Sequence, residues 1–128
     1  MKRLLLDTHT FIWWLNGAEQ LGEIAKCEIG NAKNEVYISA ATTWEMSIKK
    51  QLGKLEAADD IDQKVELAGF TKLPISLFHG EQAGMLPVHH RDPFDRMLIA
   101  QAQAEGLTII TEDKHFSLYG ARLINARK

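Results

Sequence analysis

Short apolar runs of strand length alternate along the chain with longer stretches whose apolar residues recur at helical spacing, and this alternation constrains the fold most. "KRLLL" (2–6), "EVYIS" (35–39), "LTIIT" (107–111) and "ARLIN" (121–125) read as strands, with a weaker one over "KLPIS" (72–76). Pro74 confines that last strand to a sheet edge or a strand end, because proline cannot donate to a ladder. Between them, helices are expected from about Thr10, across 19–32 with Leu21, Ile24, Ala25 and Ile29 inward, over 40–53, over 59–70 capped by Asp59 or Asp60, and over 78–86. The best-marked helix is "RDPFDRMLIAQAQAEG", with Asp92 as cap, Pro93 at the first helical position and Gly106 as terminator. Such alternation builds βαβ units, hence an α/β fold with a mainly parallel sheet and helices on both faces.

The 128 residues suit a single domain with one real core, at 45% hydrophobic composition. One cysteine, Cys27, excludes a disulfide framework and a Cys-rich zinc site. No signal-peptide pattern opens the chain and no apolar run has membrane-spanning length, so the expected place of action is the cytoplasm. A formal charge of −2 argues against binding nucleic acid through a large positive field.

Ligands of parallel sheets bind beyond the carboxyl ends of the strands, and there the chain places acids. Asp7 sits between "LLL" and an apolar helix; Asp113 follows "LTIIT" by one residue. Glu45 should share a helical face with Ile48 and Leu52, with Lys49 and Lys50 turned to solvent; Asp95 shares one with Leu98, Ile99 and Ala102. Ordinary roles are open to each: Asp7 and Asp92 as N-caps, Asp95 as a complement to its helix dipole, Asp113 as a cap for "DKHF". Asp92 is assigned the structural role. Four acids at one sheet edge, two of them on apolar faces, nevertheless favour a shared purpose. Their mutual repulsion should raise at least one carboxyl pKa and calls for a hard cation such as Mg2+ or Mn2+, which points to phosphoryl chemistry. Lys49, Lys50, Lys54, Arg91 and Arg96 are candidates to hold neighbouring phosphates, some of them forming only a solvated face.

"LLLDTHTFIWWL", "TTWEMSIKKQLGKL", "HRDPFDRMLIAQAQAEGLTIIT" and "TEDKHFSLYG" resemble, in order, the four motifs of PIN-domain ribonucleases, specifically VapC-type toxins of bacterial toxin–antitoxin pairs. The resemblance implies a PIN-like three-layer α/β/α domain and an acidic quartet at Asp7, Glu45, Asp95 and Asp113, both catalytic and metal-holding, with Thr111 as its accompanying hydroxyl. Glu112, beside Asp113, is the alternative fourth acid. It further implies Mg2+- or Mn2+-dependent cleavage of RNA, with Arg91, Arg96, Lys49 and Thr111 at the substrate, a homodimer, and inhibition by a small antitoxin.

His89 and His90 suggest zinc, but adjacent residues seldom share an ion and no Cys/His partners lie at zinc spacing; loop positions or substrate contacts are the expectation. His9 reads as a polar residue at a helix start. Trp13 and Trp14 cannot both face one core, so the 11–15 segment is expected to contribute to a dimer surface. "LLLDTHT" is also similar to the opening of haloacid-dehalogenase-type phosphatases, but His9 stands where their second aspartate belongs. A receiver domain lacks its acid pair here, and a catalytically silent PIN-like binding module would not need the full quartet.

Overall fold

The computed structural model describes residues 1–56 and 59–128. The elements run β1 (Arg3–Leu6), α1 (Thr8–Asn16), α2 (Glu23–Gly30), β2 (Glu35–Ser39), α3 (Ala40–Gln51), α4 (Ile61–Leu67), β3 (Thr71–Leu73), α5 (Leu77–Met85), α6 (Pro93–Glu105), β4 (Thr108–Thr111), a 3₁₀ helix (Lys114–Tyr119) and β5 (Leu123–Asn125). The strands form one sheet in the order β3-β2-β1-β4-β5, and all four pairings are parallel. β3 is an edge strand that stops one residue before Pro74, as a proline without an N–H requires.

Side-chain alternation splits the core in two. Leu4, Leu6, Val36, Ile38 and Ile110 face one way and meet Phe11, Leu21, Ala25, Ile29 and Val65; Leu5 and Ile109 face the other way and meet Leu98, Ile99, Ala102 and Phe116. The result is three layers, α/β/α. Successive strands step from β1 to β3 on one side, then the chain returns to place β4 on the other side of β1. That reversal opens a crevice at the carboxyl ends of β1 and β4, the place where such sheets bind ligands.

Several local expectations shift. α2 begins at Glu23 because Gly22 is pressed against the chain's last residues: its N–H donates to Ala126 O at 2.9 Å, and a Cβ there would lie 2.1 Å from the Lys128 carbonyl carbon. Ile24, expected inward, is exposed. Asp60 takes the cap position of α4 without a side-chain cap bond, while Asp59 pairs with Lys50. α6 is capped as expected, Asp92 Oδ1 accepting from the N–H of Phe94 and Asp95 at 2.8 and 3.2 Å.

The apolar helix α1 serves the core. Phe11 is fully buried, and Ile12, Trp13, Trp14 and Leu15 pack against the same cluster, Trp14 tilted against Phe70 and Trp13 under the Arg127 guanidinium. Of the five residues expected to contribute to a dimer surface, Phe11 is given wholly to the core, while Ile12, Trp13, Trp14 and Leu15 remain half-buried. Exposed large apolar side chains recur along α5 and the loop after it, at Leu77, Phe78, Met85 and Val88. Among the described residues no helix is long and apolar enough to cross a membrane.

Candidate active site

Asp7 enters the crevice because β1 ends on it and α1 begins after it. Its side chain caps α1, Oδ1 accepting from the Thr10 N–H at 2.9 Å, and Oδ2 accepts from the Thr111 hydroxyl at 2.5 Å. The capping and cluster readings are thus both realised by one residue. At 5% exposure, burial pushes its carboxyl up, while the bonds from Thr10 and Thr111 pull the other way.

Glu45 is buried on α3 at 6% exposure. Its expected face is corrected: Ile48 and Leu52 turn to solvent, and the inward stripe is Ala41, Thr42, Glu45 and Met46. Oε1 accepts from the Thr8 hydroxyl at 2.7 Å. Lys49 does not turn to solvent; its Nζ lies 2.7 Å from Glu45 Oε2, in the favourable Glu-before-Lys i,i+4 order. Thr8 was not singled out from sequence, since a lone threonine carries no pattern.

Asp95 stands at the third position of α6, with Asp92 a turn before it. Burial and then the carboxylates of Asp92, Asp7, Glu45 and Asp113 push its carboxyl up to about 8. The direction is the one expected for a crowded carboxyl, with burial the larger cause and the neighbouring acids adding to it. Asp113 behaves oppositely: partial burial pushes it up, but hydrogen bonds from the His115 N–H, the His115 ring and His90 outweigh this and leave it below the usual range. Its Oδ1 accepts from the His115 N–H at 2.9 Å, and its Oδ2 lies 3.0 Å from His90 Nε2. Glu112 turns toward Arg127, at 3.9 Å.

Asp7, Glu45, Asp95 and Asp113 all line one cleft of about 430 Å³, together with Asp92 and Glu112 and a rim of His9, Lys49, Lys114 and His115. The structure thus brings the four acids together from the ends of β1 and β4 and the inner faces of α3 and α6. Oxygen donors in this number suit a hard divalent cation. At the edge of the cleft formed by Asp95 and Asp113, one ligand atom each from His90, Asp95 and Asp113 lies within 4.8 Å of the others. His90 is the residue the sequence reading undervalued: the histidine pair was visible, but its meeting with Asp113 depends on how loop 86–92 folds.

Four cations expected near substrate sit elsewhere. Arg96 turns away from the cleft and donates to four carbonyls, Ala83 (2.8 Å), Leu86 (2.9 Å), Pro87 (2.9 Å) and His90 (3.4 Å), because one residue's rotation from Asp95 faces it toward the end of α5. Arg91 is exposed outside the cleft lining, and Lys50 is paired with Asp59. Lys54 is exposed outside that lining too. Thr111 is also corrected: it is buried beneath the cleft, where its hydroxyl donates to Asp7 and accepts from the Asp113 N–H at 3.0 Å.

The PIN domain family model matches residues 4–121. Among proteins of curated function none matches the chain. Among solved structures, the chain is similar to VapBC2 of Rickettsia felis bound to a promoter DNA fragment, at 17% identity, TM-score 0.67, covering 96% of this chain and 98% of that one. A toxin–antitoxin complex of Klebsiella pneumoniae gives 23% identity, TM-score 0.65 and coverage of 96% and 97%; DNA-bound VapBC of Salmonella typhimurium gives 20%, 0.65, 97% and 98%. At these identities the likeness is one of fold.

Proposed function

The chain belongs to the PIN domain family, and from that premise we propose that it is a divalent-metal-dependent endoribonuclease, the VapC-type toxin of a toxin–antitoxin pair. The observation that carries the reading is the convergence of Asp7, Glu45, Asp95 and Asp113 on one cleft, with Asp95 driven up to about 8 by burial and its acidic neighbours. A carboxyl so displaced marks a site arranged around a charge it does not itself contain.

In this reading the four carboxylates hold Mg2+ or Mn2+, which when bound supplies positive charge at the scissile phosphate and acidifies coordinated water. The chain's own residues do the rest. Thr111 and the Thr10 N–H fix both oxygens of Asp7, and Thr8 and Lys49 fix those of Glu45, so neither acid must reorganise when substrate arrives. Lys49, Lys114 and His115 on the rim are placed to meet RNA phosphates, which lets a chain of net charge −2 engage a polyanion locally.

The toxin role is supported by the likeness to toxin–antitoxin complexes, and it implies an antitoxin partner and action in the cytoplasm. The proposed homodimer uses the apolar residues of α5, where Leu77 is 95%, Met85 71% and Phe78 56% exposed. The test is incubation of purified protein with total RNA in Mg2+, in Mn2+ and in EDTA, with sequencing of the new ends. Discrete cuts that require metal and vanish in Asp7→Asn are expected; cuts that persist in EDTA or in that variant would sink the reading.

A further inference from the structure

We propose that His90 is a positioning residue of the acid cluster, a hydrogen-bond donor held in its Nε2–H form, and not itself a metal ligand. The proposal rests on the metal-site reading above. His90 sits in the loop between α5 and α6, and that loop is tied down at several points. Arg96 donates to the carbonyls of Leu86, Pro87 and His90. The Tyr119 hydroxyl accepts from the N–H groups of His89 (3.1 Å) and His90 (2.7 Å) and donates to Pro87 O (2.9 Å). The ring itself is held edge-on against His115 and Phe116, with centroids 5.5 and 6.1 Å away.

The two ring nitrogens then have different tasks. Nδ1 accepts from the Asp92 backbone N–H at 3.2 Å, so it presents a lone pair there. A neutral ring must therefore carry its proton on Nε2, which hydrogen-bonds Asp113 Oδ2 at 3.0 Å and lies 3.0 Å from Asp95 Oδ2. For Nε2 to ligate a cation the proton would have to move to Nδ1, where it would oppose the Asp92 N–H. The backbone of the α6 cap thus chooses the tautomer, and the tautomer makes His90 a donor. Its effect is to hold Asp113, at the end of β4, against Asp95, on α6, two acids that would otherwise repel. Outer partners of this kind typically contribute 10- to 100-fold to metal affinity.

The test compares wild type with His90→Gln, which keeps an N–H donor near the place of Nε2, and with His90→Asn and His90→Ala, which do not. Asn keeps an acceptor toward the Asp92 N–H, so it guards against a collapse of the loop in the alanine variant, and circular dichroism checks the fold of each. Mn2+ binding is followed by the loss of the free-ion electron paramagnetic resonance signal. Wild type should bind, Gln should stay within a few-fold, and Asn and Ala should weaken by about 10- to 100-fold. Pulsed resonance on the Mn2+-loaded wild type should show no coupling to histidine nitrogen, and long-range 1H–15N spectra of the metal-free protein, at a pH where the ring is neutral, should show the Nε2–H tautomer. A nitrogen coupling that disappears in His90→Ala makes His90 a ligand and overturns the proposal. So do an Nδ1–H tautomer, or wild-type affinity in both Asn and Ala while Mn2+ binding persists, which would leave the metal site standing. Absence of Mn2+ binding by wild type would overturn the metal reading and this inference with it.

Discussion

Replacing Asp95 with asparagine should stabilise the metal-free protein, and by more as pH rises. The carboxyl titrates near 3.8 when unperturbed and is pushed up to about 8 in the fold. Below about pH 4 both states are protonated and no penalty exists; as pH rises, the unfolded chain ionises while the folded one must keep its proton, and the penalty grows until it saturates above about 8. At pH 7 the gap, at about 1.4 kcal/mol per unit, caps the penalty at about 4 kcal/mol. Asparagine also gives up the contact of Oδ2 with His90, which offsets part of that gain. A net gain of about 1 to 3 kcal/mol remains, roughly 3 to 10 °C in the unfolding midpoint for a chain of this length. Thermal unfolding of both proteins in EDTA at several pH values from 4.5 to 8 measures it. A midpoint lowered throughout, or a gain that does not grow with pH, would refute the argument and reduce Asp95 to a helix-dipole partner.

Other perturbations follow from the same geometry. Mg2+ should raise the midpoint of wild type more than that of Asp95→Asn, because a ligand of the native state stabilises it in proportion to its affinity, and unfolding with and without Mg2+ reads this. Arg96→Ala should cost about 2 kcal/mol or more in chemical denaturation by leaving carbonyls of α5 and the following loop unpaired, while the salt dependence of RNA binding by folded protein stays unchanged; a shallower slope would restore Arg96 to the substrate. Thr111→Val should lose about 1 to 3 kcal/mol and weaken Mn2+ binding, since Asp7 and the Asp113 N–H both lose a partner. Phe78→Asp on the exposed face of α5 should shift the species seen by light scattering toward the monomer, with secondary structure retained; an unchanged dimer would place the interface elsewhere.

What the sequence made legible was what neighbours in the chain decide. The Asp92–Pro93 start of α6, its end at Gly106 and the parallel α/β layout all follow from local chemistry and periodicity, as does the edge position of β3 beside Pro74. Glu45 was read as inward on the wrong companions, because α3 buries a face mixed with Thr42 rather than an apolar stripe, and Lys49 folds back onto it. The basic residues around α6 look alike in the sequence; only the packing of α5 against α6 separates Arg96, consumed by backbone carbonyls, from a free phosphate contact. The meeting of His90 with Asp113 joins residues 23 apart through a loop whose course is set by Arg96 and Tyr119, so no periodicity announces it. The exposed apolar residues on α5 were hidden for a related reason: the bulkier run in α1 is the more conspicuous in the sequence, yet its Phe11 is fully buried and its other members pack half-buried against the core.

The central claim, a four-carboxylate metal site, is tested most directly by calorimetric titration of Mn2+ into the wild-type protein and into single Asp7→Asn, Glu45→Gln, Asp95→Asn and Asp113→Asn variants. Saturable binding by wild type, weakened at least tenfold in each folded variant, is the predicted result. Binding that is absent in wild type, or that survives undiminished in the variants, would contradict it.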